Sequence, residues 1–439
     1  VPFFLDCDYL KAMNYFAGLD FGTSGARIAI TDTASQIVAK GKVAYANEGN
    51  DRSLDQIWFT ALEQLLQGLS PVVRRDLAAI ALNGTSATVL LCDEAGQPLT
   101  APLLYNDDRG KAHREQIAAI ASAGSPALSA TSSLVKLLWW RATLPPEQFR
   151  QARSFLHQAD WLAFQLHGQL GLSDYHNALK LGYDIGALAY PDWLLSLGLT
   201  DLLPHVQAPG SLLGKVSAQA SDRYQLPRDC AVIAGTTDSI AAFLASGARS
   251  PGEAVSSLGS TLVIKLLSET RVDDSRYGIY SHRLGDLWLV GGASNTGGAV
   301  LKQFFSDDEL QELSERIEGD LPSGLDYYPL TEPGERFPIS DPNFAPRLSP
   351  RPDSPKQFLH GLLEGIARIE AQGYELLQQL GATPPSRIFT AGGGTQNPTW
   401  TQIRQRLLPV PIETATATEA AYGSARLALE GWQAIAPAA

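Results

Sequence analysis

One short phrase occurs twice in this chain, and it restricts the fold more than any other feature. Phe21-Gly22-Thr23-Ser24-Gly25-Ala26-Arg27-Ile28-Ala29 runs apolar residue, glycine, two hydroxyls, then an extended segment. Leu258-Gly259-Ser260-Thr261-Leu262-Val263-Ile264-Lys265 has the same order. Each reads as strand, tight turn, strand, with the glycine letting backbone N–H groups face outward as an anion cradle. The first copy follows Gly18-Leu19-Asp20, which places a carboxylate where a hydrated divalent cation could be held. A hairpin of this kind at the head of each half predicts two related domains, both built to meet phosphate.

Length and composition agree with that plan. A chain of 439 residues exceeds one ordinary core, and 44% hydrophobic against 18% charged residues is a globular balance. The net charge of -12 argues against a nucleic-acid or anionic-membrane partner. It leaves a nucleotide ligand open, since backbone amides and a metal can hold phosphates. The three cysteines, Cys7, Cys92 and Cys230, are far apart and give neither a disulfide framework nor a zinc spacing. They read as reduced thiols, which predicts a cytoplasmic location. No apolar run approaches the ~18 residues of a membrane span. Residues 1–12, ahead of Met13, read as a disordered N-terminal extension, with domains over 13–247 and 248–433.

Strands and helices alternate along the chain, which favours an α/β sheet architecture. Ile57, Trp58, Ala61, Leu62, Leu65 and Leu66 keep helical spacing; Ala78 to Leu82 reads as a buried strand before the turn Asn83-Gly84-Thr85-Ser86; Val89 to Asp93 is another strand. Small residues and a proline over 246–252 mark the boundary between halves. Residues 332–355, with seven prolines, read as a surface excursion ahead of a long helix through Phe358, Leu362, Ile366, Ile369, Leu376 and Leu380. A last helix begins near Thr418.

Two further segments carry chemistry. Ala231-Val232-Ile233-Ala234 is an apolar strand leading through Gly235-Thr236-Thr237-Asp238-Ser239 into a helix. Asp238 therefore lies at or near a helix N-terminus, where it either caps the helix or acts as a general base toward a substrate hydroxyl attacking a γ-phosphoryl group. Arg387 to Thr390 is a strand that runs into Gly392-Gly393-Gly394, either a tight strand-to-helix turn or a surface allowing adenosine or the α-phosphate to approach the backbone. Neither a G-x-x-x-x-G-K-[ST] loop nor a G-x-G-x-x-G pattern is present, which disfavours P-loop and Rossmann readings. The histidines lack metal-binding pairings, so a protein-ligated transition metal is not expected. His176 reads as a satisfied structural histidine that could alternatively touch a polyol. Trp139-Trp140 reads as core, and Lys111, Arg114 and Lys136 as solvated surface charges.

Taken together, the Asp20-Phe21-Gly22-Thr23 hairpin, Gly235-Thr236-Thr237-Asp238, Gly259-Ser260-Thr261 and Ala391-Gly392-Gly393-Gly394 with Asn397 resemble, in order and spacing, the FGGY family of carbohydrate kinases. The resemblance runs from Met13 to about Trp432. It implies two ribonuclease-H-like domains of the actin/hexokinase/Hsp70 superfold, with a nucleotide cleft between them that takes ATP, Mg2+ and a small sugar. It further implies Asp238 as catalytic base and Asp20, Thr85, Ser86 and Asp238 as sugar contacts. Gly22, Thr23, Ser24, Arg27, Gly259, Ser260, Thr261, Gly393, Gly394 and Asn397 would be nucleotide contacts. Asp20 and Asp238 would hold Mg2+ through water. Where family glycerol kinases carry an Arg-Glu pair and xylulokinases Gln-Met-His-Gly, this chain has Gly84-Thr85-Ser86-Ala87-Thr88. That hydroxyl-rich loop resembles the compact cyanobacterial and plastid D-ribulose (pentulose) kinases, which implies phosphorylation of D-ribulose at its 5-hydroxyl. A xylulokinase, or a kinase of another ketose or polyol, is the alternative, and a non-catalytic actin-like nucleotide binder is a further one. A monomer or homodimer is expected. Tyr105-Asn106-Asp107-Asp108-Arg109 resembles the family's Trp-Asn-Asp-x-Arg stretch, with tyrosine replacing tryptophan.

Overall fold

The structure, a computed structural model, describes residues 14–45 and 52–436; the extension expected over residues 1–12 lies outside them. The chain divides into two compact units. One holds the residues up to Ala245 together with those from Glu419 onward, and the other is Ser246–Thr418.

The strands of the first unit are β1 (Tyr15–Phe21), β2 (Gly25–Thr31), β3 (Ile37–Ala44), β4 (Leu77–Gly84), β5 (Val89–Cys92), β6 (Ser154–His157), β7 (Leu172–Asp174), β8 (His205–Gln207), β9 (Leu212–Lys215) and β10 (Ala231–Thr237). Six of them form a mixed sheet in the order β3-β2-β1-β4-β10-β9. The β1–β4 and β4–β10 pairs are parallel and the others antiparallel. Alternation along β1 and β4 sends Ala17, Leu19, Phe21, Ile80 and Leu82 to one face. The helices Leu54–Gln67 and Gln158–His167 cover that face with Trp58, Leu62, Leu66, Leu162 and Leu166.

The other face is lined by small residues, Ala79 and Ala81 among them, and the helix Ala420–Ile435 packs on it through Leu427 and Ala428. Gly18 permits this close approach: a Cβ there would stand 2.0 Å from the Ala421 carbonyl oxygen. Asn83 ties helix to sheet, its Nδ2 donating to Ser424 Oγ at 2.8 Å and to the Leu19 carbonyl at 3.1 Å. The last helix thus packs within the first unit, although sequence order groups it with residues 248–433.

Both β4 and β10 run further than the apolar runs predict. Parallel pairing carries them to the level of the first hairpin, with Asp20 opposite Asn83 and both Phe21 and Thr237 opposite Gly84. The turn after β4 therefore starts at Thr85 rather than Asn83.

The second unit contains β11 (Glu253–Leu258), β12 (Leu262–Ser268), β13 (His282–Leu284), β14 (Leu287–Ala293), β15 (Arg387–Ala391) and β16 (Ile412–Thr414), in the order β13-β14-β12-β11-β15-β16. As in the first unit, an antiparallel hairpin (β11–β12) has its first strand extended sideways by a parallel neighbour (β15). The predicted long helix spans Pro355–Gln379 and buries Phe358, Leu362, Ile366, Ile369 and Leu377 against the sheet.

The proline-rich stretch departs from expectation. It is not merely a surface excursion, because it delivers Glu335 and Phe337, both about 2% exposed, into the interior. Glu335 accepts hydrogen bonds from Ser294 Oγ (2.6 Å), the Asn295 N–H (2.8 Å) and Tyr328 OH (3.0 Å). Those donors satisfy a carboxylate that would otherwise be costly to bury.

Candidate active site

In the first unit, three adjacent parallel strands bring their carboxyl ends to one edge of the sheet, the usual location for ligands in open α/β sheets. β1 carries Asp20 as its next-to-last residue, β4 leads into Thr85 and Ser86, and β10 leads without interruption into Asp238, the first residue of the helix Asp238–Ala245. The β1 and β10 backbones, both flanking β4, lie about 10 Å apart at the usual strand spacing.

Asp20 is 5% exposed and pairs with Arg27 Nη1 at 3.2 Å. Burial raises its carboxyl above the ordinary range, and the charges of Asp238 and Glu419 push the same way, while Arg27 opposes them. Negative charge is thus concentrated at this edge. Asp238 is half-buried, and its Oδ1 accepts the Ser239 N–H at 2.7 Å. Thr23 and Ser24 are exposed at the tip of the first hairpin, closed by a 3.0 Å bond from the Gly22 N–H to the Gly25 carbonyl. Asp20 and Asp238 suit a hydrated Mg2+, since that ion takes one or two carboxylates and keeps water or phosphate at its remaining positions. Among the described residues no cluster of three or more His, Cys, Asp or Glu could form an all-protein metal cage.

The loop after β4 differs in detail from its sequence reading. Thr85 is buried with its hydroxyl turned inward, 2.6 Å from Thr88 Oγ1 and 3.1 Å from Gln158 Oε1, which also accepts the Thr85 N–H. Ser86 is the half-buried hydroxyl at the bend. Ala87 holds φ +64°, a left-handed conformation unfavourable to a residue with a Cβ.

Lys136 contradicts its reading as a solvated surface charge: it is 0% exposed. It sits in the helix Ser133–Thr143, where Leu134, Val135, Leu137, Leu138 and Trp140 are also buried. Burial pushes its ammonium down to about 7, with Asp107 opposing and Lys180 adding to the fall. The unfolded chain keeps this group protonated to about 10.5, so between those values it binds more protons than the folded chain. Stability from this residue must therefore rise with pH across that window. The melting difference between wild type and Lys136→Met should move in favour of the wild type between about pH 7 and 10. A flat difference would mean that the amine stays charged.

His176 is buried in the structural role, its Nδ1 2.7 Å from Thr236 Oγ1, two residues before Asp238. Trp140 is core, whereas Trp139 is half-buried beneath Arg109, whose guanidinium carbon lies 5.0 Å from the ring centroid. Lys111 and Arg114 are exposed, as read. Tyr105 is 40% exposed.

The second unit brings its own two sequence-predicted segments together. Ser257 pairs with Ala391 in the parallel β11–β15 ladder, so the Gly259-Ser260-Thr261 turn and the Gly392–Gly394 loop leave the sheet side by side. Gly392 has φ +83°, and a Cβ there would crowd the Leu258 carbonyl oxygen at 2.8 Å. A Cβ at Gly393 would meet open space, which leaves that backbone accessible. Asn397 caps the helix Pro398–Leu407: its Oδ1 accepts the Trp400 N–H at 2.9 Å and its Nδ2 donates to Ser314 Oγ at 2.8 Å.

Comparison with known proteins accounts for both units. Residues 15–245 match the N-terminal domain of the FGGY family of carbohydrate kinases, and residues 254–432 match its C-terminal domain. A xylulose kinase of Bacillus subtilis is 24% identical over 96% of this chain and 89% of its own length. One from Streptomyces rubiginosus is 28% identical over 92% and 84%. The crystal structure of a xylulose kinase from Brucella ovis superposes with a TM-score of 0.82 at 22% identity, covering 96% of this chain and 91% of that one. The chain belongs to the FGGY family of carbohydrate kinases, and its fold is the two-domain, actin/hexokinase-like α/β fold of those enzymes. No helix among the described residues is long and apolar enough to cross a membrane.

Proposed function

We propose that this chain transfers the γ-phosphoryl group of ATP to the terminal hydroxyl of a ketopentose. The observation that carries this reading is the convergence of Asp20, Ser86 and Asp238 at the ends of three neighbouring parallel strands, in a chain whose two halves both match a carbohydrate kinase family. Asp238 accepts the proton of the acceptor hydroxyl as that oxygen attacks the γ-phosphorus and the bond to the ADP oxygen breaks. Such a step depends on positioning and charge neutralisation more than on covalent chemistry by the protein. Asp20 and Asp238 would hold a hydrated Mg2+, which when bound offsets charge on the phosphates. Gly22, Thr23, Ser24 and Arg27 are assigned to phosphate, as are Gly259, Ser260 and Thr261. Gly393 and Gly394 are assigned to the adenosine side. Asn397 supports that loop from the helix cap. Thr85 shapes the sugar loop from within, and Ser86 presents its hydroxyl to the sugar.

For the sugar itself, the names of the relatives support D-xylulose more than D-ribulose. A second reading, D-ribulose, is favoured by the small hydroxyl loop Gly84-Thr85-Ser86-Ala87-Thr88, because sites built to hydrogen-bond substrate hydroxyls discriminate steeply. A coupled ADP-release panel of D-xylulose, D-ribulose, L-ribulose and glycerol separates them. We expect one D-ketopentose to exceed glycerol by roughly 100-fold or more in kcat/KM. Faster turnover of D-ribulose than D-xylulose would favour the loop over the relatives, and glycerol as the best acceptor would overturn the ketopentose assignment.

A further inference from the structure

Outside the residues just assigned, one buried lysine stands out. Lys136 Nζ donates to the Ala87 carbonyl and to the Leu104 carbonyl, both at 2.7 Å. The first lies in the loop after β4, and the second immediately precedes Tyr105. A third bond closes the arrangement: the Tyr105 N–H donates to Thr88 Oγ1 at 3.0 Å, and Thr88 Oγ1 is in turn 2.6 Å from the Thr85 hydroxyl. Two loops on either side of β5 are therefore fastened to each other, and the fastener comes from the helix Ser133–Thr143.

We infer that Lys136 is a positioning residue for sugar recognition, fixing the Thr85–Thr88 loop in its left-handed bend and joining it to the Tyr105 segment as one preformed wall. The inference rests on the proposal that Ser86 faces the sugar. Left to itself, Ala87 would favour another backbone conformation, since a left-handed residue with a Cβ is strained and persists only where its surroundings dictate it. The 2.7 Å bond from Lys136 Nζ to the carbonyl of that same residue supplies the constraint. Both acceptors are backbone oxygens, so the amine fixes the main chain of each loop. Relaxation of Ala87 would turn the neighbouring Ser86 away from its present orientation and release the Tyr105 backbone.

The test compares KM values for the better D-ketopentose and for ATP. Lys136→Met should raise the sugar KM roughly 10- to 100-fold, the cost of a small misplacement of a binding group, and leave the ATP KM within about twofold. Adding Ala87→Gly to Lys136→Met should recover a substantial part of the sugar KM, because glycine adopts φ +64° without strain. A residue that merely supported the fold would not be rescued in this way. An unchanged sugar KM in Lys136→Met, or a raised one that Ala87→Gly fails to improve, would overturn the inference. Ser86→Ala is run alongside: an unchanged sugar KM there refutes the sugar-facing assignment of the loop, separately from the role of Lys136. Should Lys136→Met fail to fold, hydrogen exchange on the wild type decides. A preformed wall predicts that the amides of Thr85, Thr88 and Tyr105 are already protected without sugar. Fast exchange there, slowed only when sugar binds, contradicts it.

Discussion

Asp238→Asn should lower sugar-dependent turnover roughly 10²–10⁴-fold, the usual worth of a general base, while nucleotide affinity stays nearly unchanged. The substitution separates a helix-capping role from the roles that need the carboxylate. Asp238 begins its helix and accepts the Ser239 N–H, and asparagine serves helix N-termini about as well as aspartate. The helix-capping contribution is thereby kept, while the carboxylate that would accept the proton and help hold Mg2+ is lost. Calorimetric nucleotide binding and a coupled turnover assay on the same preparation check both halves. If turnover falls less than about threefold, the residue only supports the helix and the proposed proton transfer is wrong.

Arg404→Met should destabilise the second unit by about 3–5 kcal/mol, far more than loss of a surface pair. Arg404 and Glu370 are completely enclosed, joined by two 2.7 Å bonds. Arg404 also donates to Thr390 Oγ1 at 2.7 Å, while Ser256 bonds to Glu370 and lies 2.9 Å from Tyr374 OH. The cluster thereby connects β11, β15 and the two helices Pro355–Gln379 and Pro398–Leu407, the framework from which the Gly259 and Gly392 loops project. Removing arginine leaves a carboxylate buried without its counter-charge, so Arg404→Met with Glu370→Leu should recover much of the loss. Urea denaturation reads both variants. A single-variant loss below about 1 kcal/mol would place this cluster with ordinary surface pairs.

What the sequence revealed, and what it concealed, follows from the range of each interaction. The two hairpins, the long helix after Pro355 and the strand-to-helix step at Asp238 are local patterns in which glycine, hydroxyl and apolar spacing state the geometry directly. Lys136 was misread because charge alone suggested solvent. Its flanks, Leu134-Val135 and Leu137-Leu138, form a run apolar on every side, which was the available sign of burial. Glu335 and Phe337 were hidden among prolines that signal an irregular path but not its direction. The inward turn of Thr85 depends on Gln158, and the Arg404–Glu370 pair joins two different helices. Neither partnership has a signature in spacing. Asn397 is expected from the sequence as a nucleotide contact, whereas in the structure its side chain bonds the Trp400 N–H and Ser314 Oγ at the helix cap.

The central claim is phosphoryl transfer from ATP to a sugar hydroxyl, and the most direct measurement follows phosphorus. Wild-type protein is incubated with ATP, Mg2+ and either D-xylulose or D-ribulose, and the products are resolved by 31P NMR. The account predicts that ADP and a sugar phosphate monoester appear in equal amounts, with little inorganic phosphate, and that ADP formation nearly stops when the sugar is omitted. Inorganic phosphate released at the same rate with and without sugar, and no ester signal, would contradict it.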